Sequence, residues 1–195
     1  MGARLQNQLQ DGCGPYGRHL TGAAPIQFYF GGDASNSQLI MTANIDNMTA
    51  IRPPSADILV DAITCDFKVA GDATSLFRAA LYDMETFPGG TLIGAAAEIA
   101  GTGANTKVMP IAAVTLKRNG RYAVLFCASG VTLPALSVAT PGYGLSGATW
   151  LGCYSNGQSV GGLLYTRAYG AFPAIYNGVY SGGMSSRFPV GLRLP

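Results

Sequence analysis

Short apolar runs separated by turn residues set the rhythm of this chain. The clearest alternation lies between Ile58 and Ala70, where Leu59, Ile63, Cys65, Phe67 and Val69 fall on one face and Thr64, Asp66 and Lys68 on the other. Period two predicts a half-buried strand. Phe77, Ala79 and Leu81 alternate around Arg78 in the same way. Arg121 to Ser129 is apolar on both faces, as expected of a strand covered on both sides. Lys107 to Leu116 predicts a further strand, and Pro110, which has no N–H to give to a ladder, confines it to an edge or a bulge. Ile26 to Phe30, Leu39 to Ile45, Leu133 to Val138 and Leu163 to Ala168 are weaker strand signals. The Ala-rich stretch from Gly94 to Ala100 has the composition of a short helix, but its flanking glycines and the preceding Thr91-Leu92-Ile93 favour strand.

Between these runs stand Gly31-Gly32, Gly89-Gly90, Asn119-Gly120, Asn156-Gly157, Gly161-Gly162, Asn177-Gly178 and Gly182-Gly183. Each is expected to supply the positive φ of a tight hairpin. Short strands at close spacing with such turns predict an all-β fold, an antiparallel β-sandwich of jelly-roll-like topology. Residues 1 to 25, with Gln6, Asn7, Gln8, Gln10 and a Gly-Pro at 14 and 15, predict an extended N-terminal arm, with Leu5, Leu9 and Tyr16 as candidate anchoring side chains. Residues 26 to 195 then form a single sandwich domain whose segment 143 to 195 is rich in glycine and aromatic residues.

Composition sharpens this picture. Charged residues make up 11% of the 195 positions, against roughly 25% in an average soluble domain. With 48% apolar residues and a net charge of +2, the chain is unlike a disordered polymer, and twelve bases against ten acids is not the surplus of a nucleic-acid binder. The charges are unevenly spread. Residues 1 to 100 hold five bases against all ten acids, a balance of −5, and residues 101 to 195 hold seven bases and no acid. No charged side chain occurs from Tyr122 to Thr166. Solvated surfaces carry more charge than this, so a covering partner is expected, most simply further copies of the chain.

The first residues lack the apolar stretch of a secretory signal, and the longest uncharged run is broken by Gly130, Pro134, Pro141 and Gly142, so neither export nor membrane insertion is expected. Cys13, Cys65, Cys127 and Cys153 have no metal-ligand spacing and are expected to be reduced, mostly buried thiols. His19 is the only histidine and falls in the arm, which leaves catalytic triads and zinc sites without their usual components. Asp57, Asp61, Asp83 and Glu85 are the carboxylates that could pair for glycoside hydrolysis, though solvated strand ends explain them better. Asp33, Asn36, Asp46 and Asn47 are oxygen donors near turns, but their spacing matches no EF-hand loop. No catalytic residue, cofactor or metal is expected.

Nine of the nineteen aromatic residues lie in 143 to 195: Tyr143, Trp150, Tyr154, Tyr165, Tyr169, Phe172, Tyr176, Tyr180 and Phe188. Rings set among Gly, Ser and Asn suit recognition, and equally suit the filling of a core or a subunit contact. The candidate ligand or receptor contacts are Tyr143, Trp150, Tyr154, Tyr165, Tyr169, Tyr176 and Tyr180.

Ile58-Leu-Val-Asp-Ala-Ile-Thr-Cys-Asp-Phe-Lys-Val-Ala-Gly-Asp-Ala is followed by Phe77-Arg-Ala-Ala-Leu-Tyr-Asp, Pro88-Gly-Gly-Thr-Leu and Leu116-Lys-Arg-Asn-Gly-Arg-Tyr-Ala-Val-Leu. This succession, over roughly residues 55 to 130, resembles a β-sandwich domain of tailed-bacteriophage virion proteins: tail fibres, head fibres and capsid decorations. The closing Phe188-Pro-Val-Gly-Leu-Arg-Leu-Pro is also typical of such proteins. The resemblance implies a non-enzymatic virion component, assembled in the host cytoplasm. It further implies a homotrimer, attached to phage capsid or tail proteins through the arm and able to meet a host-surface glycan. A carbohydrate-binding sandwich or lectin-like adhesin is the alternative.

Overall fold

Alternating apolar positions become two antiparallel sheets. The structure is a computed structural model that describes residues 27–30, 38–51, 54, 56–87, 89–138, 162–184 and 190–195. Thirteen strands follow in order: β1 (Gln27–Phe30), β2 (Gln38–Ile40), β3 (Ile45–Ile51), β4 (Ile58–Val69), β5 (Leu76–Asp83), β6 (Thr91–Ala95), β7 (Ile99–Ala100), β8 (Thr106–Leu116), β9 (Tyr122–Ser129), β10 (Ala135–Ser137), β11 (Gly162–Thr166), β12 (Val179–Met184) and β13 (Val190–Arg193). The described residues include no helix. The predicted arm lies outside them.

The first sheet runs β1-β13-β4-β10-β2, with β8 on the other side of β4. The second runs β12-β11-β3-β9-β5-β6, with β7 also paired to β5. From β3 to β5 and again from β7 to β11 the chain crosses between sheets at every connection, as a jelly-roll-like sandwich requires. The stretch from Gly94 to Ala100 is strand, interrupted between β6 and β7.

The core between the sheets is built from alternate residues of the long strands. Ile63, Cys65 and Phe67 of β4 and Met109, Ile111 and Leu116 of β8 meet Phe77, Ala79 and Leu81 of β5 and Tyr122, Val124, Phe126 and Ala128 of β9. Phe77 joins the layers, its ring edge-on to Phe67 at 4.9 Å and stacked on Phe126 at 5.5 Å. Such aromatic pairs contribute about 0.5–1.5 kcal/mol beyond their buried area.

Strict period two fails in β4 for an identifiable reason. The β4–β8 register shifts between Val60 and Ala62, where Asp61 alone on β4 faces three residues of β8, 111 to 113, a bulge that carries two extra residues on β8. Val60 is therefore buried in the core and Ile58 packs against it, while Leu59 is 46% exposed. Val69, also assigned to the inner face by alternation, is 44% exposed. Pro110 sits opposite Ala62, beside this bulge, on β8 at the edge of its sheet.

The glycine-turn expectation also needs correction. Among the described residues the positive-φ positions are Asn44, Asn119, Gly103 and Gly130. In the β8–β9 turn it is Asn119, at φ 61°, that takes the left-handed conformation, and Gly120 N–H closes the turn on the Lys117 carbonyl. Asparagine tolerates this region because its short amide bonds locally. Gly182 and Gly183 lie inside β12, and Gly162 opens β11.

Candidate functional site

The outer face of the second sheet is apolar, and the chain itself covers it. Cross-strand rows place Met48 opposite Leu125, Leu125 opposite Ala80 and Ala80 opposite Ala95; the next row runs Ala50, Ala123, Tyr82 and Leu92. Leu163, Tyr165, Phe172 and Tyr176 complete this second apolar cluster. Two of the four, Phe172 and Tyr176, belong to the connection between β11 and β12. That segment, residues 167 to 178, is a strap laid across the sheet.

At one end of the face the rows turn polar. Tyr165 stands opposite Asp46, and Cys127 opposite Arg78. The strap fastens here. Arg167 donates from Nε to Asp46 Oδ2 at 2.6 Å and from Nη2 to Oδ1 at 3.1 Å. Its Nη1 donates to the carbonyls of Ala168 and Ala171, both at 3.2 Å, and Nη2 also reaches Cys127 Sγ at 3.7 Å. All five guanidinium N–H groups thus find acceptors. The Phe172 ring lies beneath, 4.7 Å from the guanidinium carbon. Tyr176 donates its hydroxyl to Asp46 Oδ2 at 2.9 Å. Asn44, in the left-handed conformation, accepts Arg167 N–H on its carbonyl and Tyr169 N–H on its side chain.

Further along, Tyr82 donates its hydroxyl to the Pro173 carbonyl at 2.6 Å, Leu92 N–H to Ala174 and Tyr176 N–H to Gly90. A surface trio flanks the buried pair: Tyr169 hydroxyl and Arg78 Nε both donate to Glu98 Oε2, at 2.8 and 3.0 Å, with Arg78 also 5.7 Å above the Tyr169 ring.

The electrostatics match this wiring. Burial disfavours the charged Arg167, but hydrogen bonding and the charge of Asp46 outweigh it and hold the guanidinium more firmly protonated. Burial, reinforced by Asp46, pushes the Tyr176 phenol far up. Cys127 is pushed up to about 12, chiefly by burial, and burial drives Cys65 higher still. Both are free, buried thiols, as expected; Cys13 and Cys153 lie outside the described residues. A protonated thiol in such surroundings is a packing group, not a nucleophile.

The other candidate residues have structural employment too. Asp46 is wholly buried in its ion pair, and Asn47 donates to the Ile45 carbonyl, so neither is open to a calcium ion; Asp33 and Asn36 lie outside the described residues. Asp57 binds Lys117 Nζ and Arg118 N–H, Asp61 takes Arg193 in a two-point pair, Asp83 caps Glu85 N–H, and Glu85 accepts Arg121 N–H. Asp66 accepts from Ser137, and Asp72 from Thr74 and Thr132. All eight described carboxylates therefore hold the fold. Among the described residues no group of three His, Cys, Asp or Glu side chains is placed to grip a metal ion.

Of the aromatic candidates, Tyr165 and Tyr176 are buried, 3% and 5% exposed, and edge-on to each other at 5.1 Å. They fill the space under the strap. Tyr169 is half-buried in the Glu98 trio, and Tyr180, on β12, is 60% exposed. Tyr143, Trp150 and Tyr154, and the anchoring candidates Leu5, Leu9 and Tyr16, lie outside the described residues, as does His19. Sequence reasoning missed Asp46 and Arg167 as a pair. Their one signal is that a base in the acid-free half needs an acid in the other.

Among the described residues, part of the charge gap has an internal cause. Tyr122 to Ala128, Pro134 to Val138, and Gly162, Leu163 and Tyr165 are all buried within this one chain. In these stretches the expected cover is supplied by the opposite sheet and the strap. The chain matches no family model, and no curated protein matches it.

Proposed function

We propose that the chain is a non-enzymatic structural component of the exterior of a tailed-phage particle, a short fibre, spike or capsid decoration. The observation that carries the non-enzymatic part is the engagement of all eight described carboxylates in bonds that hold strands, turns and strap. The virion assignment rests on the succession of motifs between residues 55 and 130.

Assembly into a multimer, a homotrimer in this reading, is supported by the β12 side of the second sheet. Ile175, Val179 and Tyr180 are 61%, 71% and 60% exposed, and no charge occurs from Ala168 to Ser186. Edge strands that stay unpartnered commonly carry Lys or Pro as a guard, and β12 carries neither. Contact with a host glycan would draw on Tyr180 among the described tyrosines, because Tyr165 and Tyr176 are committed to the interior.

Mass spectrometry and immunogold labelling of purified particles test the reading: the chain should be an external component, and deletion of residues 1 to 25 should abolish incorporation while the remainder still folds. Normal incorporation of the truncated chain would remove the attachment role of the arm, and absence from particles would remove the virion assignment. Glycan-array binding lost in Trp150→Ala would favour the carbohydrate-binding module instead.

A further inference from the structure

The chain carries three Asn-Gly pairs, of which Asn119-Gly120 and Asn177-Gly178 lie among the described residues. In such a pair the main-chain nitrogen of glycine is the least hindered neighbour that can attack the asparagine side-chain amide. Reaction in a folded protein then depends on whether those two groups are free to meet, since small losses of alignment cost large factors in rate.

The two pairs differ in how they are held. Asn119 is fixed at φ 61°, its N–H donates to the Pro54 carbonyl at 2.8 Å, and Gly120 N–H, the attacking group, donates to Lys117 O at 3.0 Å. Asn177 is exposed and lies between the last main-chain anchor of the strap, Tyr176 N–H on Gly90, and the first residue of β12, Val179. Neither its side-chain amide nor Gly178 N–H is hydrogen-bonded to a described residue.

We propose that Asn177 is a site of spontaneous deamidation in the folded protein and that Asn119 is protected. Gly178 N forms a bond to Asn177 Cγ, the Cγ–Nδ2 bond breaks, and the amide nitrogen leaves as ammonia with the proton given up by Gly178. Water opens the resulting succinimide at either carbonyl, giving aspartate or isoaspartate. Oxidation state does not change, and water is the only co-reactant. The product is a carboxylate in a half of the chain that has none and in the uncharged run beside Ile175, Val179 and Tyr180. The isoaspartate form also adds a methylene to the main chain between the Tyr176 anchor and β12.

The test is incubation of the full chain in mildly alkaline buffer, folded and in urea, with site-resolved peptide mapping and isoaspartate methylation as readouts. In the folded chain Asn177 should convert at least about ten-fold faster than Asn119, and in urea the two rates should converge. Asn177→Gln should remove the signal from its own peptide and leave Asn119 unchanged. Equal folded-state rates at the two sites, or an Asn177 that converts only in urea, would overturn the proposal.

Discussion

Asp46 and Arg167 are 121 positions apart in sequence and 2.6 Å apart in the fold, the carboxylate fully buried and the guanidinium 13% exposed. This pair fastens the strap to the sheet it covers, and it joins the acid-bearing half of the chain to the acid-free half. Asp57 with Lys117 and Asp61 with Arg193 repeat the join on the first sheet and at its turn.

Arg167→Met should destabilise the chain by about 3–5 kcal/mol, because it leaves the Asp46 carboxylate buried without its partner. Adding Asp46→Leu to it should recover part of that loss, since an apolar pair has no charge to desolvate. Urea denaturation of both variants measures this. A loss under about 1 kcal/mol for Arg167→Met would mean that water reaches the carboxylate and that the strap is not held as described.

Stability should fall on the alkaline side. Cys127 is raised from 9.0 to about 12 by burial, and Cys65, Tyr82, Tyr169 and Tyr176 are raised as well. Groups that keep their protons when folded contribute fully below their unfolded values, and the contribution is lost as the pH rises because only the unfolded chain releases protons. The urea midpoint should therefore decline from pH 9.0 upward, and Cys127→Ala should make the decline shallower. A midpoint that stays flat up to about pH 11 would contradict the buried thiols.

On the acid side the sign reverses. Asp57 is lowered by the Arg118 N–H and Lys117, and Asp72 by the Thr74 hydroxyl and Thr132 N–H. Asp66 is lowered too: burial opposes the shift, but the hydrogen bonds from Ser137 and Lys68 outweigh it. Their contribution is complete above the ordinary value of 3.8 and is lost as the pH falls through the lower folded values. Asp72→Asn should weaken the acid dependence of the midpoint, with little effect on its alkaline decline.

Gly130→Ala should cost about 1–3 kcal/mol, since φ 134° is a conformation that side-chain-bearing residues rarely adopt. Space is also short, because a Cβ at Gly130 would stand 2.8 Å from the Cα of Ser75. Calorimetry of this variant beside Gly170→Ala, whose Cβ would meet nothing within 4 Å, isolates the effect. Equal melting temperatures for the two would refute it.

The strands most legible in the sequence are those whose partners are close or whose pattern is simple. Both apolar faces of β9 could be read before their separate destinations were known: Val124 and Phe126 enter the core between the sheets, Leu125 and Cys127 the space under the strap. Strand β3 was less visible, because Ile45-Asp-Asn-Met-Thr-Ala-Ile carries polar residues that read as loop. They are buried because Arg167 and Tyr176 arrive from far along the chain to satisfy Asp46. The same distance hid the strap. Tyr165 and Tyr176 look like recognition residues among glycines until the sheet beneath them is in place. The irregularity in the β4–β8 register escaped because Leu59 and Val60 are both apolar, so alternation alone cannot say which faces inward.

Strand β13 lies between β1 and β4, and Arg193 on it reaches Asp61. During synthesis, residues 1 to 100 emerge with five bases against ten acids and with a gap in their first sheet that residues 190 to 193 later fill. A ribosome-bound chain that has reached β9 holds the long β4–β8 and β5–β9 pairs but lacks the strand that joins β1 to the rest and the cations that settle Asp46 and Asp61. The first sheet therefore closes only once residues 190 to 193 are available to pair with β1 and β4, and the non-local pairings that complete it place the fold among slow-folding β topologies.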